Sequence, residues 1–119
     1  MVNENAKKWV KALRSGKYKQ TTCTLQDEEG FCCLGVGCVV FEEETGIPLP
    51  TNKNGFYNDG NLSSDFTVVK DWLGLSSDEG RFGTDSSLVK LNDNCGFSFE
   101  QIADVIESEP FGLFQKEEE

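Results

Sequence analysis

The chain has 119 residues and a formal net charge of −10, from 11 basic and 21 acidic side chains with no histidine. A hydrophobic fraction of 37% with nine phenylalanines suffices for one modest core and excludes wholesale disorder. The missing histidine excludes serine–histidine and cysteine–histidine nucleophile pairs, and no apolar run reaches the roughly 18 residues that a membrane span needs.

Charge is distributed unevenly. The first twenty residues hold Lys7, Lys8, Lys11, Arg14, Lys17 and Lys19 against Glu4 alone, and the rest of the chain holds five basic and twenty acidic residues. A basic leader therefore precedes an acidic body, which disfavours direct binding to nucleic acid or to an anionic membrane. Nothing in the first twenty residues reads as a signal-peptide core, so the expected compartment is the cytoplasm. The five cysteines are an odd number, and adjacent Cys32 and Cys33 inside an apolar run read as small buried hydrophobes in a reducing compartment. The spacing of Cys23, Cys32, Cys33, Cys38 and Cys95 lacks the C-x2-C knuckles of structural zinc, and no glycine-rich phosphate loop is present. No metal or cofactor is expected.

In chain order, a first helix is expected over residues 5–15, with Asn3 or Asn5 as N-cap and Gly16 as its stop. Ala6, Trp9, Val10 and Leu13 form its apolar face, and Lys7, Lys11 and Arg14 line the neighbouring one. A threonine-rich strand is expected over residues 21–26, then a turn over 27–30 and a short returning strand at Phe31 and Cys32. Residues 31–41, bounded by Phe31 and Phe41, read FCCLGVGCVVF and are the longest apolar run. A buried strand would suit its valines, but length and Gly46 as a cap favour a helix over about 32–44. Gly35 and Gly37 each oppose a helix by about 1 kcal/mol unless a neighbouring backbone comes close there.

Residues 47–61 are dense in proline, asparagine and glycine and read as a loop, with a short strand at 55–57. A third helix is expected over 65–73, capped by Ser63 or Ser64 and stopped by Gly74. A strand-like piece near 81–84 and a helical turn over 87–92 follow. Ser98 and Gln101 make a capping box for the last helix, stapled by Phe97 and Ile102 and stopped by Pro110. Its polar side carries Glu100, Asp104 and Glu107 at the same spacing as Lys7, Lys11 and Arg14, so the two rows can meet within a chain or between chains, or stay apart in water. The tail carries a small apolar patch expected to dock, followed by a frayed acidic end from about residue 115.

The fold expected is α+β in a single domain over residues 1–119. About four helices surround the buried segment bounded by Phe31 and Phe41, beside a small antiparallel β-sheet.

Four stretches are similar to a family of small proteins from tailed bacteriophages: WVKALRSGKYKQ from Trp9, GFCCLGV from Gly30, WLGL from Trp72, and LND followed by SFEQIADVIE from Leu91. The likeness spans about half the chain and omits the loop after Gly46. It implies a phage origin and an accessory role inside the host cell, and it carries no catalytic residues.

The expected function is therefore non-enzymatic: binding of a host or phage macromolecule, with a homodimer as a further arrangement. The alternative is a binder, or sponge, for a nucleotide signal. In it, Lys7, Lys11, Arg14, Lys17 and Lys19 would contact phosphate, and Trp9, Tyr18 or Tyr57 would floor the pocket. An enzyme and a structural virion component rank below both.

Overall fold

The computed structural model describes residues 3–22, 24–57, 61–84 and 86–115. Among them the chain forms five helices and two small antiparallel hairpins around one hydrophobic core. Helix α1, Glu4–Arg14, starts where the Asn3 side chain accepts the Ala6 N–H at 2.8 Å. It buries Ala6, Trp9, Val10 and Leu13, the face its 3.6-residue period assigns to the core.

Helix α2, Cys33–Thr45, is the apolar run, and it is buried on nearly every side over its first three turns. The two glycines inside it mark close approaches. A Cβ on Gly35 would lie 1.9 Å from the Leu25 carbonyl oxygen, and one on Gly37 would lie 3.0 Å from Leu73 and 3.3 Å from the Trp9 indole nitrogen. That indole donates to the Cys33 carbonyl at 2.9 Å, locking α1 across α2. Gly46 closes the helix in the left-handed conformation, at φ 74°, that a side chain would resist.

The segment before α2 departs from the expected strand. Among the described residues of the 21–26 stretch, only Gln26 lies in a strand: β1 is Gln26–Asp27, and it pairs with β2, Gly30–Phe31. Gln20 makes a parallel bridge to Phe31, with the Phe31 N–H donating to the Lys19 carbonyl and the Thr21 N–H to the Phe31 carbonyl. The chain leaves this ladder after Thr21 so that Leu25 can enter the core, where its carbonyl accepts the Cys32 N–H. Core burial of one leucine outweighs threonine's preference for strand. Cys23 lies outside the described residues.

Residues 55–57 are likewise no strand. Asn52 Oδ1 accepts the N–H groups of Asn54 and Phe56, which curls the segment into a turn. Tyr57 then points inward, packing edge-on against Phe66 and donating from its hydroxyl to Glu42 at 2.5 Å. Helix α3, Thr67–Leu73, follows a 3-10 turn, Ser64–Phe66, so Phe66 stands at the N-cap and no side chain caps α3. Strands β3, Arg81–Phe82, and β4, Ser86–Ser87, form a second hairpin where one strand-like piece was expected. Helix α4, Leu88–Asp93, is capped by Ser87. Helix α5, Phe99–Glu107, carries the complete capping box between Ser98 and Gln101 and packs along α1. The tail docks through Leu113, which is fully buried, and through a bridge between Phe114 and Leu75.

Candidate functional site

The packing of α1 along α5 brings the two charged rows together at one residue. Arg14, on the last turn of α1, donates from Nη2 to Asp104 at 2.8 Å and to Glu107, and from Nη1 to Glu100 at 3.4 Å. The three carboxylates stand at i, i+4 and i+7 on α5, so one guanidinium reaches all of them. Hydrogen bonds to Asp104 and then Glu107 hold the Arg14 pKa above its ordinary value. The rows therefore meet inside one chain, and the arrangement in which they never touch is excluded.

The other basic candidates are dispersed. Lys7 Nζ lies 3.4 Å from Glu4, and Lys8 Nζ lies 2.7 Å from Glu44. Lys11 makes no ion pair among the described residues. Lys17 and Lys19 lie beyond the Gly16 turn: the Lys17 ammonium sits 5.7 Å from the centre of the Tyr18 ring, and Lys19 contributes its backbone to the bridge with Phe31. Two of the three expected aromatic floors are core residues, Trp9 fully buried and Tyr57 nearly so.

A shallow depression of about 470 Å³ runs along the α1–α5 seam, lined by Lys7, Val10, Lys11, Arg14, Ser15 and Glu107, and most of its wall is apolar. A second cleft, about 430 Å³ and mainly polar, opens at the β3–β4 hairpin between Glu79, Arg81 and Ser87.

Removing Arg14 tests how much the clamp stabilises the fold. Its side chain is 30% exposed and its acidic partners are more so, which places the pairs in the weak, solvated class. Arg14→Ala is expected to cost about 1 kcal/mol, part of it repulsion among the three orphaned carboxylates, and added salt should narrow the gap. A gap that held its size at high salt would show that the clamp acts through packing instead.

Three of the thiols, Cys32, Cys33 and Cys38, are buried, and Cys95 is exposed. Cys32 caps α2, its sulfur accepting the Gly35 N–H at 3.4 Å, a position where a helix N-terminus ordinarily favours thiolate. Burial outweighs that effect and pushes Cys32 up to about 12. Burial also raises Cys33 and Cys38 well above the ordinary thiol value, and raises Tyr57, whose hydroxyl further donates to Glu42. All these folded-state pKa values lie above the unfolded ones. The stability they confer is thus complete below about pH 9 and is lost as pH rises toward 12. Urea unfolding under reducing conditions should show stability falling from pH 9 upward, with a slope approaching about 4 kcal/mol per pH unit as three thiols ionise only in the unfolded chain. A flat profile from pH 8 to pH 10.5 would mean that the thiols ionise in place.

One surface feature lay hidden in the expected docking patch. Leu113 and Phe114 pack inward, but Phe111 is 86% exposed. Its signal in the sequence is the flanking Pro110 and Gly112, a turn signature that lifts the residue between them off the surface. Among the described residues no three histidine, cysteine, aspartate or glutamate side chains converge to hold a metal ion, and no helix is long and apolar enough to cross a membrane.

These features define a small α+β protein whose most concentrated ionic feature is an intramolecular clamp. It belongs to a family defined by a domain of unknown function, DUF8296, whose model matches residues 1–110. No curated protein and no solved structure is found to match it.

Proposed function

We propose that this protein is a phage-type accessory protein without catalysis of its own, acting by binding a host or phage protein with a basic surface. The observation that carries this reading is the Arg14 clamp. The one arginine of the leader is spent on three carboxylates of its own chain, and Lys7 and Lys8 each face a carboxylate as well. What the molecule turns outward is therefore dominated by its acidic body, which suits a cationic partner surface and repels nucleic acid. The thiols of Cys32, Cys33 and Cys38 are buried and keep their protons, so these three offer no nucleophile at the surface. The sequence likeness to small tailed-phage proteins supports the accessory role and a place in the host cytoplasm.

The nucleotide-binding alternative needs convergent cations over an aromatic floor. With Arg14 clamped, and with Trp9 and Tyr57 in the core, the basic N-terminal region offers no such convergence. Affinity capture from host lysate on the immobilised protein, eluted with a salt gradient, tests the reading. One basic partner recovered reproducibly and released at moderate salt is expected. Repeated clean captures with no enriched partner would sink the proposal. Saturable heat from a nucleotide in titration calorimetry would replace it with the alternative.

A further inference from the structure

We propose that the chain self-associates, two copies reciprocally seating Phe111 in the depression at the α1–α5 seam. Phe111 stands out from a turn that gives it no way back. The Gly83 N–H donates to its carbonyl at 2.6 Å, the Leu113 N–H closes the turn onto Pro110 at 3.1 Å, and the Ser76 hydroxyl donates to the Gly112 carbonyl. Just before it, Glu109 holds φ 50°, a left-handed conformation that a residue with a side chain adopts at a cost. A large aromatic residue carried on a doubly anchored backbone turn is preorganised for insertion, since little backbone freedom remains to be lost on docking. The other large apolar residues exposed among those described, Ile47 and Val68, are 52% and 44% exposed and belong to no such device.

The depression supplies a fitting receptor. Its wall, formed by Val10 with Ser15, Lys7, Lys11, Arg14 and Glu107, is mostly apolar, and the Glu107 carboxylate in it is already held by Arg14. The knob brings a negative charge, since Glu109 stands two residues from Phe111. Lys11, without an ion pair among the described residues, is the cation of that wall left to meet it.

Position favours closure. Glu107 lines the depression and lies four residues before Phe111, so at 3.8 Å per residue their Cα atoms are at most about 15 Å apart. Knob and seat thus lie close together on one molecule, and a two-fold axis between them lets each copy fill the other's seat, giving a closed dimer instead of an open chain. Two aromatic side chains bury about 150–250 Å² each, so the contact is smaller than a standard interface and the dimer is weak.

Sedimentation equilibrium of the full chain up to about 1 mM tests this. The native protein should show a monomer–dimer equilibrium that salt weakens. Phe111→Ala and Lys11→Glu, both at exposed positions, should each weaken it at least tenfold while leaving the melting temperature and circular dichroism unchanged. Mixing the two variants is the decisive arm. The mixed dimer keeps one complete knob-and-seat contact, whereas each variant alone keeps none, so the mixture should associate more than either. A native protein that stays monomeric throughout would overturn the proposal and leave Phe111 for a foreign macromolecule. So would a dimer indifferent to Phe111→Ala, or a mixture no more associated than its components.

Discussion

Replacing Asn92 with alanine is expected to destabilise the protein by about 4 kcal/mol, although the residue touches no surface feature of interest. Asn92 is 2% exposed and, with Thr21, is a buried polar residue beside the apolar core. Its Oδ1 accepts from Gln20 Nε2 at 2.8 Å and from the Cys33 N–H at 3.2 Å, and its Nδ2 donates to the Thr21 carbonyl and to Asp93, both at 2.8 Å. One amide therefore ties the segment after α1, the start of α2 and the end of α4 together. Truncation strands the first-turn N–H of Cys33 and the carbonyl of Thr21 away from water, each at about 1–3 kcal/mol. Asn92→Asp should also destabilise, since it keeps both accepting contacts but loses the donors and sets a second carboxylate beside Asp93. Urea titrations followed by tryptophan fluorescence read both variants. A loss under about 1 kcal/mol for Asn92→Ala would mean that water replaces the side chain and that the junction is open.

Gly35→Ala is expected to lose about 3 kcal/mol, against the sign that helix propensity assigns. Within a helix, alanine should gain about 1 kcal/mol over glycine. At this position the added methyl group would lie 1.9 Å from the Leu25 carbonyl oxygen and 2.9 Å from its carbonyl carbon. That carbonyl is backbone and is itself held by the Cys32 N–H, so it cannot swing aside as a side-chain tip can. Either α2 moves off the 25–32 segment or Leu25 leaves the core. Unchanged or improved stability in the same titration would show that the chain before β1 yields easily and that α2 is positioned by α1 and α3 instead.

What the sequence revealed was whatever its neighbours in the chain could encode. The capping box of Ser98 and Gln101, the Asn3 cap, and the glycine stops at Gly46 and Gly74 all satisfy helix ends with residues within a few positions, and each of those ends stands where its signal puts it. The charge rows were legible as matching periods, but their meeting depended on how α1 crosses α5, which no local pattern states. The strand assigned to residues 21–26 failed because threonine content speaks for strand, whereas the path there is set by Leu25 reaching the core and by Gln20 pairing with Phe31. Asn92 gave no warning at all. An asparagine at the end of a short helix reads as a cap or a solvated residue, and only contacts 59 to 72 positions away make it a junction. Gly35 and Gly37 were suspected as close approaches, but the backbone oxygen that explains Gly35 belongs to a residue in the misread segment.

The burial of Cys32, Cys33 and Cys38 gives the molecule an internal clock. A thiol-modifying reagent added to the native protein attacks exposed Cys95 at once but reaches the other three only when the core opens. In a variant with Cys23 and Cys95 replaced by serine, the labelling rate of the remaining thiols reports how often the core opens under conditions where nearly every molecule is folded. Cys32 and Cys33 sit at the first turn of α2 and Cys38 in its middle, so comparing their rates shows whether the helix unzips from its N-terminal end or opens as a unit.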